Sequence, residues 1–522
     1  MDERVRFGSA TDAVATYHIP LVYEIAQAPV SLERLKRALS ALIQKHKTLR
    51  TRLVFDETDG TLQQEIMDQI SVEIMLTSVN SEKDLENILY DEETNPNLFN
   101  LSEGQVFRCH AIRRSWTIDG DLLAPSDILI FNFHHAAFDG TSIDIFFRDL
   151  QQAYSTDRSL PPCVLDYIDY SMHEKEMNMN TARIFWKEYL DGFTNAHLQL
   201  PYDRRPNDSN IRSGRGSTAI FELSPHIVEH MLNHLTECET TLFQLGLAAF
   251  YAFLFKLTHE TDLCILTVSA NRNRGELENI IGFFVNTLPH RLVIEPHKSF
   301  EFLVGCVKEL VLGTLPHAHL PYQDIVSSMA STTFQILFVV ETHHQDGLAL
   351  DSDTILHPFV ATTTDPKSVA KFDLTCSVQY DVPARTVQVS FDASSDLFEP
   401  ETVEFMARRF HLLLNHVLSS SGSIQICELS LLLPREIQLL RNLNSSEPLS
   451  LSPNVGPIHQ QFAHQTCEHP QKLAVVLDDQ SLTYAELLHS SQLVSHHLID
   501  RCQVQPGDII AQCVERSIEM VS

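Results

Sequence analysis

The chain has 522 residues, too many for one hydrophobic core, and its 43% hydrophobic content is ample for several packed domains. Its 68 acidic residues against 38 basic ones give a formal charge of -30, which repels phosphate backbones and anionic headgroups, so neither nucleic acid nor a membrane surface is an expected partner. Ten cysteines lie scattered at spacings that suggest neither a zinc site nor a redox pair, the start Met-Asp-Glu-Arg-Val-Arg lacks a secretory pattern, and the longest apolar run, Leu245 to Phe255, is too short to cross a bilayer. A cytoplasmic location with reduced thiols is the expectation.

In chain order, Leu32, Leu35, Leu39, Leu42 and Ile43 predict one face of an amphipathic helix. Ile128, Leu129, Ile130, Phe131 and Phe133 predict a strand buried on both faces, and Ile143, Phe146, Phe147, Leu150 and Tyr154 a helix behind it, capped by Thr141 or Ser142. Between strand and helix stand His134, His135, Asp139 and Gly140, two imidazoles followed by a carboxylate-glycine turn. The polar stretch from His173 to Asn180 reads as the joint between two α/β halves. In the second half Thr241 and Gln244 cap a buried helix, and Leu263 to Val268 form a strand. The polar loop Asn271-Arg272-Asn273-Arg274-Gly275 follows, and Pro400 opens a last long helix carrying Val403, Met406, Phe410, Leu413, Leu414 and Val417. Residues 445–457 have a linker's composition. Beyond them Leu473 to Leu477 predict a strand, Asp478-Asp479-Gln480 a turn and Thr483 to Leu498 a helix, read as the opening of a domain cut short.

The His-His-x-x-x-Asp-Gly pattern in this setting resembles the third core motif of condensation domains from non-ribosomal peptide synthetases. Lys45-His46-Lys47-Thr48-Leu49-Arg50-Thr51 looks like the second motif and Tyr167-Ile168-Asp169-Tyr170 like the fourth. Ile281-Gly282-Phe283-Phe284-Val285-Asn286-Thr287 with Arg291 is similar to the fifth, and His319-Leu320-Pro321-Tyr322-Gln323 to the sixth. The seventh is weaker, since Thr333-Phe334-Gln335-Ile336-Leu337-Phe338 keeps the strand without the arginine-rich start. The first motif has no counterpart in Met1 to Ala15, which bears on activity more than on fold. In the tail, Leu482-Thr483-Tyr484-Ala485-Glu486-Leu487 and Val504-Gln505-Pro506-Gly507-Asp508-Ile509-Ile510 resemble the beginning of an adenylation (AMP-binding) domain.

The resemblance implies an α/β fold of two lobes, each like chloramphenicol acetyltransferase, in a V-shaped pseudo-dimer with a partial C-terminal α/β segment. The expected bounds are 1–175 for the first lobe, 181–440 for the second, 445–457 for the linker and 458–522 for the adenylation start. It implies amide formation between acyl or aminoacyl thioesters, each held on the 4'-phosphopantetheine arm of a donor or acceptor carrier domain, beside the module's adenylation domain. No cofactor is expected to bind the chain directly. The alternatives are a non-catalytic carrier-docking fragment and an epimerisation-type domain.

A neutral imidazole suits proton transfer from the attacking amine, and His135 is the expected catalytic group. Strand alternation sends His134 to the other face, in a supporting role. Asp139 is expected to hold structure through an arginine, with Arg50 the first candidate and Arg291 the second. Gly140 is expected to permit a backbone angle or a close approach. Asn286, Thr287, Tyr167 and Gln323 are assigned to the substrate channel, with satisfaction of a strand end an equal alternative for Asn286 and a structural role the default for Tyr167 and Gln323. His343-His344-Gln345-Asp346-Gly347 mimics the motif with the wrong spacing and reads as a decoy. His317 with His319, and His496 with His497, lack partner ligands for a metal.

Overall fold

The computed structural model describes residues 14–56, 60–114, 120–193, 198–205, 212–327, 334–343, 347–359, 367–419, 424–444, 457–514 and 517–521. Residues 445–456 of the expected linker, residues 1–13 and residues 344–346 of the decoy lie outside them. The chain divides into two units, Met1–Leu433 and Pro434–Ser522, so the helix Pro434–Asn444 groups with the tail rather than with the second lobe.

Within the first unit, six strands form one sheet in the order Leu348–Ala349, Ile355–Pro358, His18–Gln27, Ile128–His134, Phe107–Arg113 and Ile74–Ser78. Neighbours run antiparallel except the last pair, which is parallel. The central strand Ile128–His134 is buried on both faces, as its apolar run predicts. Alternation sends Leu129, Phe131 and Phe133 against the helices Leu32–Lys45 and Gly140–Thr156, while Ile128 and Ile130 pack with Leu85 of the helix Glu82–Thr94. Two strands of this sheet, Leu348–Ala349 and Ile355–Pro358, come from the sequence expected to belong to the second lobe: Ile25 pairs with Leu356 and Tyr23 with Pro358.

Seven strands form the second sheet, in the order Asn286–Val293, Asp262–Ser269, Ile336–His343, Leu374–Asp381, Thr386–Ser394, Arg215–Glu222 and Lys367–Val369. Its main core centres on the helix Leu242–Thr258, buried from Gln244 to Phe255 and opened by the predicted capping box of Thr241 and Gln244. The helix Pro400–Ser419 lays Val403, Met406, Phe410, Leu413, Leu414 and Val417 against the same core. The joint between lobes is helical, Tyr167–Glu176 and then Asn180–Tyr189. No single helix among the described residues is long and apolar enough to cross a membrane.

The second unit holds the helix Ile458–Glu468, the hairpin Leu473–Leu477 with Gln480–Thr483, and the helix Tyr484–Asp500. Asp478 takes φ 51° in the turn, a conformation Asp tolerates. Thr483 and Glu486 close a capping box at the start of the second helix.

Candidate functional site

The motif strand ends at His134, so His135 begins the turn rather than continuing the alternation. Its backbone N–H donates to Tyr17 O at 2.8 Å, tying the turn to the chain just before the strand His18–Gln27. The ring Nδ1 lies 2.8 Å from Phe138 O. A carbonyl only accepts, so Nδ1 carries the proton and Nε2 holds the lone pair. Burial pushes this imidazole down to about 4, with the Lys371 charge acting in the same direction, so the ring is neutral at neutral pH. Phe283 of the fifth motif meets it edge to face at 5.2 Å between centroids. The ring is half-buried, and Nε2 makes no hydrogen bond among the described residues.

His134 points elsewhere. Its Nδ1 accepts from Ala136 N at 3.1 Å, and its ring sits 6.2 Å from His18 and 5.9 Å from Phe99, all edge to face. Burial lowers both His18 and His134 to about 4.

Asp139, wholly buried, is the N-cap of the motif helix in place of the expected Thr141 or Ser142: its Oδ1 accepts from Ser142 N at 3.0 Å and from Ser142 Oγ at 2.8 Å. Its arginine partner is Arg272, at 3.0 and 3.2 Å from the two oxygens, and Phe284 N donates to Oδ2 at 3.0 Å. Arg272 also lies 4.1 Å over the Phe284 ring and bonds the carbonyls of Leu277 and Ile280. Neither expected partner reaches Asp139. Arg50 donates to Met67 O, and Arg291 pairs with Asp262 at 2.7 Å. The reason is topological: Arg50 leads into the hairpin Thr51–Asp56, and Arg291 sits on an edge strand beside Asp262–Ser269.

The second motif instead grips the motif helix and the fifth motif. Lys45 and His46 bond Asp149 of the motif helix at 2.6 and 2.7 Å, and Thr48 Oγ1 donates to Ile281 O at 2.9 Å.

Gly140 needs neither a special angle nor a close approach: it is exposed and a Cβ there would meet nothing within 4 Å. The glycine with that requirement is Gly282, where a Cβ would lie 2.2 Å from the Tyr167 ring. Tyr167 therefore packs on the fifth motif and donates its hydroxyl to Phe283 O at 2.8 Å. Asn286 does not present its amide to a channel. It donates to Ala318 O and Leu320 O at 2.7 and 2.6 Å and accepts from Tyr322 N, clamping the fifth motif to the sixth. Thr287 N also donates to it, and Gln323 lies exposed on the short helix Tyr322–Ser327.

A cavity of about 290 Å³ lies between the lobes beside the motif turn. Thr16, His18 and Glu93 line it from the first lobe and Lys371, Thr375 and Asp392 from the second. Thr16 and His18 flank Tyr17, whose carbonyl holds His135, and Lys371 Nζ lies 5.8 Å over the Tyr17 ring. Sequence reasoning missed Arg272, Gly282, Glu93, Lys371 and Asp392 as site residues. A charged residue in the asparagine-rich loop before the fifth motif was the one available signal, for Arg272. No three His, Cys, Asp or Glu side chains among the described residues gather to hold a metal ion.

A family model described as the condensation domain matches residues 3–440. Phosphinothricin tripeptide synthetase PhsC of Streptomyces viridochromogenes is 31% identical over 501 residues, 90% of this chain and 43% of the relative. A linear gramicidin synthase of Brevibacillus parabrevis is 31% identical over 528 residues, 97% of this chain and 10% of the relative. The chain thus spans less than half the length of these curated relatives. Among solved structures, the X-domain from teicoplanin biosynthesis superposes with a TM-score of 0.67 at 23% identity, over 81% of this chain and 94% of that one. The first condensation domain of the CDA synthetase gives 0.61 at 17%, over 81% and 95%. At these identities the likeness concerns the two-lobed α/β fold.

Proposed function

This chain belongs to the condensation domain family, acyltransferase-type domains that form peptide bonds, and we propose that it joins two carrier-tethered substrates through an amide. The observation that carries this reading is the unprotonated Nε2 of His135 at a junction where both lobes line one cavity. A thioester is already activated. The protein has to bring the amine to the acyl carbon, take up a proton and steady the oxyanion. His135 is the catalytic group: Nε2 accepts a hydrogen bond or a proton from the attacking amine while the Phe138 carbonyl fixes the tautomer. His134, Asp139 and Arg272 hold the turn.

The two substrates arrive on 4'-phosphopantetheine arms of donor and acceptor carriers, from a cytoplasmic synthetase. We read the second unit as similar to the start of an adenylation fold, on the strength of the tail segments Leu482 to Leu487 and Val504 to Ile510.

The test is an assay with donor and acceptor carriers loaded with defined amino acids, read by mass spectrometry. An acceptor-bound amide formed by the parent and reduced about 10²- to 10⁴-fold in His135→Ala is expected. Inversion of one loaded carrier would replace this reading with epimerisation, and no reaction at all would leave carrier docking.

A further inference from the structure

The cavity between the lobes, which reaches the His135 turn through Thr16 and His18 on either side of Tyr17, carries an unusual set of charges. Glu93 closes the first-lobe side from the helix Glu82–Thr94, and Asp392 the second-lobe side from the strand Thr386–Ser394. Among the described residues, Lys371 is the one cation whose charge acts on either carboxylate. His18, lowered to about 4 by burial, adds no charge at neutral pH. Asp392 also accepts from the Thr218 hydroxyl and Glu93 from the Val369 backbone, but both of these partners are neutral, so one lysine charge faces two carboxylates across a space large enough for a side chain. Burial holds both carboxyl groups above their usual range, and Asp392 repels Glu93.

We infer that this cavity selects a tethered substrate whose side chain ends in an ammonium or guanidinium group. Such a group would complete the charge balance, two cations for two anions, and give Glu93 and Asp392 charge-assisted hydrogen bonds. A norleucine side chain of similar length would leave both carboxylates desolvated without a new partner, and a glutamate would bring a third negative charge. The inference rests on the amide-forming reading, because it takes the space next to His135 as the seat of a substrate.

Acceptor and donor carriers are loaded in separate arms with lysine, norleucine or glutamate, the other carrier being held constant, and amide formation is followed by mass spectrometry. In one arm lysine is expected to react at least tenfold faster than norleucine, and glutamate slowest. Glu93→Gln with Asp392→Asn should erase that preference, while Lys371→Met should widen it. Equal rates for lysine and norleucine in both arms overturn the inference, as does a double variant that slows every acceptor alike, since that would assign the carboxylates to the α-amine. If no pair yields amide, the amide-forming reading fails by itself. Calorimetry with non-hydrolysable lysyl and norleucyl pantetheine amides then decides the cavity: tighter lysyl binding upholds its selectivity and equal binding ends it.

Discussion

Asp139 on one side of the motif turn and the pair Glu93 and Asp392 on the other are all carboxylates drawn into the junction of the lobes, yet they are treated in opposite ways. Asp139 accepts from Arg272, from the Ser142 hydroxyl and from two backbone N–H groups. Glu93 and Asp392 have neutral donors, the Val369 backbone and the Thr218 hydroxyl, face a single lysine charge between them, and are held in their protonated form to higher pH than usual. A carboxylate whose acceptor positions are filled fixes geometry, whereas one with a deficit of positive charge waits for a partner. The turn bearing His135 is thus bolted where Asp139 meets Arg272 and left responsive on the cavity side.

Removing the bolt should produce the largest stability change. Asp139→Ala leaves Arg272, only 4% exposed, as an uncompensated buried charge, and should cost about 3–5 kcal/mol in denaturant unfolding. A loss below about 1 kcal/mol would erase the contrast. Acid tests the histidines around the same turn. His18, His134, His135 and, in the second lobe, His290 are each lowered to about 4 by burial, against an ordinary 6.5. The unfolded chain takes up protons on these rings below pH 6.5 and the folded one only near 4. Stability should therefore fall as pH drops through that window, by up to about 1.4 kcal/mol per pH unit for a fully buried ring such as His290 and by less for the half-buried His134 and His135. A melting temperature flat from pH 6.5 to 4 would contradict the burial.

Gly282→Ala drives a methyl into the Tyr167 ring, backed by Phe284, and should cost about 1–3 kcal/mol. Its partner experiment, Gly140→Ala, meets open space and should stay within about 0.5 kcal/mol of the parent, although Gly140 belongs to the sequence signature. The sign reverses on the cavity side. Glu93→Gln removes a charge that burial disfavours, so at pH 7 the variant should be as stable as the parent or more stable, by up to about 1 kcal/mol. Destabilisation there comparable to Asp139→Ala would make Glu93 a second bolt.

The parts of the molecule legible in the sequence are those governed by local periodicity. The doubly buried strand, the helices behind it and the Thr241 and Gln244 capping box all follow from neighbours within a few residues. So does the position of His135, since a strand, a turn and a helix are contiguous. What stayed hidden is set across the lobes. Arg272 lies 133 residues from Asp139, and its choice over Arg50 depends on how the loop after the strand Asp262–Ser269 folds back on the turn. Within the second lobe, the sequence leaves Asn286 equally a channel residue or a polar residue satisfying a strand end, and the loop carrying Ala318 and Leu320 takes its amide. The motif's glycine and the structurally constrained glycine are different residues because the space around each is made by distant side chains.

The strand Ile355–Pro358 lies beside His18–Gln27 although more than three hundred residues separate them in sequence. This sets a rule for anyone building hybrids of such proteins. A chimera joined near residue 176 would pair one parent's strand edge with another parent's returning hairpin, so compatibility at Tyr23, Ile25, Leu356 and Pro358 matters as much as the junction itself. A donor block that travels with residues 348–358 keeps that edge covered, and one that omits them exposes a template for aggregation.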